Sequence, residues 1–170
     1  MIIRFAQNKD AAALTGIYNY EVLHGTATFD VQPKTLEERL VWMNAHSGGK
    51  YPLFVADLDG TVAGYASLSP YRAKEAYSAT AELSVYVDSR FRRQGIGVHL
   101  MQAIIDYAQN RGGIHTIISV ISGGNEASTR IHKKAGFTFC GTVQEAGTKF
   151  GKYLNIDTWQ LIIHEKKQQV

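Results

Sequence analysis

The chain is short of nearly everything that would take it out of the ordinary soluble class. It carries one cysteine in 170 residues, Cys140, so no internal disulfide can form and a reducing compartment is expected. No apolar run approaches the roughly 20 residues that a membrane span needs. The opening Met1-Ile2-Ile3-Arg4-Phe5-Ala6-Gln7-Asn8 has no long apolar stretch of the kind a secretory signal carries. These absences point to the cytoplasm and away from membranes. A net charge of +3 is too mild, and the basic residues too scattered, for a nucleic-acid surface. No His/Cys cluster suggests a metal site, so no metal is expected. Repeats, low-complexity segments and linkers are missing as well. With 45% apolar residues, 1–170 reads as a single domain with a full core.

What is present falls into alternating elements. Ile2 to Ala6 reads as a short strand, and Asp10 as the cap of a helix that carries Leu14, Ile17, Tyr18 and Val22 at helical spacing and ends at Gly25. Thr35-Leu36-Glu37-Glu38 is a capping box opening a second helix to about Ala45. After the loop 46–50, two apolar runs, Leu53 to Ala56 and Val62 to Leu68, flank Asp59-Gly60, a strong two-residue hairpin signal. A loop over 69–76, a strand over Ala79 to Val87 and a glycine-containing turn follow. Next come a helix-like run, His99 to Ala108, stopped by Arg111-Gly112-Gly113, and an isoleucine-rich strand, Thr116 to Ile121. A helix from about Glu126 to Ala135 is closed by Gly136, and two strands lie near Phe137 to Thr142 and Tyr153 to Ile163. Cys140, in an apolar segment, is expected to be a small buried hydrophobe. Glu165 to Val170 reads as a frayed, solvated end.

The turn Arg92-Arg93-Gln94-Gly95-Ile96-Gly97-Val98 stands between a strand and a helix. Glycines let the backbone approach a ligand closely. The first helical N–H groups lack internal partners, and the helix dipole favours an anion there. Two arginines add charge, so the segment is suited to phosphate. It is no P-loop, since Gly-Lys-Ser/Thr is missing, and Leu100 stands where a dinucleotide fingerprint needs its third glycine.

Arg92 to Gly97 matches Arg-x-x-Gly-x-Gly and resembles the pyrophosphate grip of the GNAT N-acetyltransferase superfamily. The element order β-α-α-β-β-β-α-β-α-β-β is that of this superfamily. The resemblance implies an α/β (α+β) fold: a central mixed, mostly antiparallel sheet with splayed middle strands, flanked by helices. It also implies acetyl-CoA as co-substrate, with its pantetheine arm entering the splay as an added strand.

Acyl transfer to an amine needs a group to take the ammonium proton, a donor for the developing oxyanion and a means of stabilising the thiolate. Glu82 lies within an otherwise apolar and small-residue strand, where a carboxylate is either paired, solvent-facing or functional. Partial burial would raise its pKa towards that of a general base. In the superfamily, an asparagine opens the helix that corresponds to the one beginning at Asn125, and a tyrosine seven residues on protonates the thiolate. Here His132 holds that place, and imidazole titrates near neutral pH.

His132 narrows the resemblance to the phosphinothricin and methionine sulfoximine N-acetyltransferases. It does so together with Thr80-Ala81-Glu82-Leu83-Ser84-Val85-Tyr86-Val87, Ile17-Tyr18-Asn19, Thr26-Ala27-Thr28-Phe29 and Gly147-Thr148-Lys149-Phe150-Gly151. The resemblance implies that Val85, Tyr86 and Val87, the segment Arg93, Gln94, Gly95, Ile96, Gly97 and Val98, and Asn125 and Lys134 bind acetyl-CoA. It implies that Glu82 and His132 are catalytic. The acceptor would be an α-amino acid or analogue, bound by Arg72, Ala73, Lys74, Glu82, Leu83, Ser84 and Phe29. Arg72 is the choice for its carboxylate because a guanidinium grips that group with two parallel bonds. The chain departs from sulfoximine-preferring relatives at Ser78, near the place of a further arginine. A homodimer is expected, since relatives commonly dimerise. Two rivals stand beside this reading: acetylation of a protein N-terminus, polyamine or aminoglycoside, and a non-catalytic acyl-CoA sensor.

Overall fold

The structure is a computed structural model that describes residues 1–46, 49–111 and 113–164. Strand β1 (Ile2–Phe5) leads through a 3-10 turn, Asn8–Asp10, into α1 (Ala11–His24). Asp10 does not cap α1 with its side chain. Its carboxylate accepts the Gln7 amide at 2.8 Å and two guanidinium bonds from Arg4 at 2.7 and 2.9 Å. The expected cap is thus drawn backwards to the preceding turn, because a buried carboxylate takes the cation within reach. The chain continues into α2 (Leu36–Asn44), where the Thr35–Glu38 capping box forms as expected, with reciprocal bonds of 3.1 and 2.7 Å.

Strands β2 (Leu53–Leu58) and β3 (Thr61–Pro70) form the expected hairpin. Asp59 and Gly60 both take positive φ, 51° and 92°, which lets a two-residue turn follow the strands' own twist. Then come β4 (Thr80–Val87), α3 (Ile96–Arg111), β5 (Thr116–Ser122), α4 (Glu126–Lys134), β6 (Thr138–Lys149) and β7 (Lys152–Ile162). The sheet order is β1-β2-β3-β4-β5-β7-β6, parallel only between β4 and β5.

Alternation along the strands sorts the core into two layers. Phe54, Ala56, Ala66, Leu68, Ala81 and Leu83 pack with Leu100, Met101 and Ile104 of α3. Leu53, Val55, Val62 and Tyr65 pack with Leu14, Ile17 and Met43 of α1 and α2. On β4 the odd positions therefore face α3, whereas Glu82, Ser84 and Tyr86 look towards α1 and α2.

Strand β6 runs seven residues beyond the expected end at Thr142, to Lys149. It is the edge strand, largely exposed, and its register with β7 shifts twice, between Phe139 and Gly141 and between Val143 and Gly147. Bulges and exposure erase the alternation by which a strand is read. The first shift leaves Cys140 out of the pairing, so the thiol expected in the core is exposed. Ser47 and Gly48 of the 46–50 loop, Gly112 of the stop after α3 and the tail 165–170 lie outside the described residues. None of the helices is long and apolar enough to cross a membrane, among the described residues.

Candidate active site

Strands β4 and β5 pair only from Thr80↔Thr116 to Glu82↔Ile118 and then part. Beyond Glu82, the β5-facing backbone of Leu83 to Val87 has no strand beside it, while its other edge stays paired to β3 as far as Gly64↔Val87. Unpaired N–H and C=O groups inside a sheet are a ready seat for an extended ligand. A cleft of about 1000 Å3 opens there. Its walls are β4 residues Glu82 to Val87, β5 residues Ser119 to Ser122, the glycine turn and the first two turns of α4.

One end of the cleft is the glycine turn. Arg93 and Gly95 take positive φ, 64° and 78°, and swing the chain into α3, whose N-terminus faces the cleft. A Cβ on Gly97 would stand 3.4 Å from Ile131 and 3.7 Å from Val87, so a larger side chain there would press on both cleft walls. Arg92, the residue that opens the motif, also lines the cleft but has a carboxylate partner of its own. Its guanidinium is ion-paired with Glu21 of α1 and lies 5.6 Å from the Tyr20 ring.

At the point of divergence sits Glu82, partly buried, with burial holding its carboxyl above the usual range. Across the cleft, His132 is 2% exposed, and burial pushes its imidazole below the ordinary value. Its Nδ1 lies 2.8 Å from the Ser128 carbonyl and its Nε2 2.7 Å from the Ser119 hydroxyl. A carbonyl only accepts, so Nδ1 carries the hydrogen and Nε2 accepts from Ser119. Burial disfavours the charged form, and the neutral ring in this tautomer presents an unprotonated Nε2 to Ser119. Ser119 and His132 both line the cleft.

Of the residues singled out from the sequence, Phe29, Glu82 to Val87, Arg93, Gly95 to Val98, Asn125 and His132 all line this cleft. Asn125 caps α4 by accepting the Ser128 amide at 3.1 Å. Gln94 and Lys134 are exposed and do not line it; Arg130, one turn before Lys134, does. Arg72, Ala73 and Lys74 are exposed in the loop after β3, also off the cleft lining, and the Arg72 guanidinium stacks on Tyr71 at 4.9 Å and near Tyr77 at 5.6 Å.

Ser119 and Lys149 escaped the sequence reading as site residues. Nothing marks a serine in an apolar strand as a histidine's partner until the fold puts it there. Lys149, 3% exposed, donates to the Glu21 and Thr28 carbonyls at 3.0 and 2.7 Å. It pins the β6–β7 hairpin over the 26–29 wall of the cleft. Gly147 lets Phe29 in beside it, since a Cβ there would stand 2.5 Å from that ring.

Comparison with known proteins agrees with this geometry. Residues 3–158 match the model of the acetyltransferase (GNAT) domain. The chain is 38% identical over 165 residues to an L-methionine sulfoximine/L-methionine sulfone acetyltransferase of Salmonella typhimurium, covering 97% of this chain and 96% of the relative. It is 40% identical over 157 residues to a phosphinothricin N-acetyltransferase of Streptomyces coelicolor, covering 91% of each. A Salmonella typhimurium acetyltransferase structure solved with acetyl-CoA superposes with a TM-score of 0.93 at 36% identity, over 100% of this chain and 98% of the other.

Proposed function

Because the chain belongs to the GNAT acetyltransferase family and is an N-acetyltransferase, we propose that it acetylates the α-amine of a small L-amino acid or analogue by direct transfer from acetyl-CoA in a ternary complex. Methionine sulfone, methionine sulfoximine and phosphinothricin are the leading acceptors, in keeping with the relatives' substrates. The observation that carries the reading is Glu82. A carboxyl with a raised pKa sits where the sheet opens, at the inner end of a cleft whose other end is a phosphate-suited helix terminus.

Acetyl-CoA supplies the activated acyl group. The β4 backbone from Val85 to Val87 would pair with the pantetheine arm, and a Val85 N–H would donate to the developing oxyanion. The N–H groups from Arg93 to Val98 would hold the pyrophosphate. Glu82 takes a proton from the acceptor's ammonium, freeing the lone pair that attacks the thioester carbonyl; the C–S bond breaks and sulfur keeps its electron pair. Ser119 would take a proton from the attacking amine as it gives its own to His132 Nε2, and the imidazolium so formed would return that proton through Ser119 to the departing sulfur.

We also place the enzyme in a reducing cytoplasm, supported by its single exposed thiol. The test is thiol release from acetyl-CoA by the purified protein against a panel of the three leading acceptors, common L-amino acids, spermidine and an aminoglycoside. Saturable release with an amino-acid acceptor is expected. Release only with spermidine or the aminoglycoside would replace the acceptor class, and acetyl-CoA binding without any release would make the protein a sensor.

A further inference from the structure

On the α1/α2 side of β3 and β4 lies a second cavity, about 330 Å3, lined by Arg39, Tyr65, Ser67, Ser69 and Ser84 among others. Arg39 is 5% exposed. Its guanidinium is stacked between the rings of Tyr18, at 4.4 Å, and Trp42, at 4.6 Å. Among the described residues it has no ion-pair partner, and its Nε makes no hydrogen bond. The acidic groups at the cavity rim are committed elsewhere. Asp30 pairs with Lys34 at 3.0 Å and accepts the Tyr18 hydroxyl at 2.8 Å, and the Glu38 carboxylate caps α2 at the Thr35 amide. Two more buried donors, the Tyr65 and Ser67 hydroxyls, are also without partners.

A buried cation with no contact ion pair is costly, and ring stacking and the Asp30 carboxylate on the same cavity offset only part of that cost. A guanidinium and two hydroxyls on residues that line one half-open cavity describe a receptor for an oxyanion. The cavity's place says which one. Ser69 is the cross-strand partner of Glu82, and Ser67 that of Ser84. All four look to the same face of the sheet, so the cavity starts beside the carboxyl that takes the proton. Tyr18, Ser84 and Tyr86 line both the cavity and the main cleft, so the two lie side by side along β4. Successive same-face residues are about 6.6 Å apart, a step comparable to the distance from the amine to the other polar end of a methionine-sized acceptor. His46 holds the floor in place: its Nδ1 meets the Trp42 carbonyl at 2.8 Å and its Nε2 the Ser69 hydroxyl at 3.1 Å.

We propose that this cavity seats an oxyanion of the acceptor, and that Arg39, with the Tyr65 and Ser67 hydroxyls, is the residue that selects it. The inference rests on the amino-acid reading above. The bound group is either the α-carboxylate or the sulfonyl or phosphinyl oxygens at the far end of the acceptor, and chemistry separates the two.

The experiment is steady-state kinetics of the wild type, Arg39→Met and Arg39→Lys with three acceptors: L-methionine sulfone, its carboxamide, and L-methionine, which keeps the carboxylate but lacks the sulfonyl oxygens. Arg39→Met should raise the KM for methionine sulfone about 10- to 100-fold, with the KM for acetyl-CoA unchanged, and Arg39→Lys should recover part of the loss. If the penalty vanishes with the carboxamide, the site holds the carboxylate; if it vanishes with methionine, it holds the sulfonyl oxygens. An equal penalty with all three acceptors, or a fall in kcat at constant KM, makes Arg39 a packing residue and overturns the proposal. If Arg39→Met does not fold, Arg39→Lys decides by the same comparison. Wild-type protein active on amino acids but indifferent to Arg39 removes this inference alone, whereas wild-type protein inactive on every amino acid removes the function with it.

Discussion

Glu82 and His132 show how burial draws the pKa values of two titratable groups in one cleft towards each other. Burial opposes charge, so it lifts the carboxyl and lowers the imidazole. For a base that works deprotonated, activity rises as the pH climbs through its pKa. The acid limb of kcat/KM should therefore lie above the ordinary carboxylate value. Glu82→Gln should abolish that limb and cut kcat about 10²- to 10⁴-fold with little change in the KM for acetyl-CoA; a pH–rate profile of both proteins checks it. Equal turnover in the variant would take Glu82 out of the mechanism. The Ser119–His132 bond makes a second expectation. Ser119→Ala and His132→Gln should each lower kcat on the order of tenfold, and the double variant should be no slower than the worse single one, because the two act as one relay. Additive losses in this double-mutant cycle would mean that they act separately.

Among elements, the start of α3 and the parting of β4 and β5 make the site. The glycine turn gives the helix terminus its access, and the Arg92–Glu21 pair ties that turn to α1. Gly97 is the place where both requirements meet. Gly97→Val would crowd Ile131 and Val87, and should raise the KM for acetyl-CoA on the order of tenfold while the melting temperature moves little. An unchanged KM with a lowered melting temperature would assign Gly97 to helix packing. The turn and the helix after it were legible from Gly95, Gly97 and the strand before them, since glycine position and apolar period are local properties. The extent of β6 was not, because its bulges and exposed edge carry no alternation. Cys140 followed it into error for the same reason.

At the scale of the molecule, the edge hairpin of β6 and β7 leaves Phe139, Val143 and Tyr153 half or more exposed, Phe139 and Tyr153 on one face and Val143 on the other, with Phe150 at the turn between the strands. An edge strand with apolar side chains on show is usually covered. The homodimer we propose would use this edge hairpin. Light scattering on the purified protein should give twice the monomer mass, and Val143→Glu with Tyr153→Glu should halve it. A monomeric wild type would leave the proposed cleft to work alone; a dimer unmoved by both changes would place its interface elsewhere.

The sequence by itself determined the element order, the hairpin at Asp59-Gly60, the Thr35 cap, the phosphate-suited turn and the identity of the two titratable groups, because each depends on neighbours a few residues away. It also carried the resemblance that named the acyl donor. Only the tertiary structure decided what lies next to what. It brought Ser119 to His132 from a different element, turned Arg92 to Glu21 across 71 positions, left Arg72 in solvent and buried Arg39 unpaired beside the strand that bears Glu82. Charge and hydrogen-bond satisfaction are settled by distance in space, and along the chain arginines at 39, 72 and 92 look alike; burial and the reach of a carboxylate tell them apart.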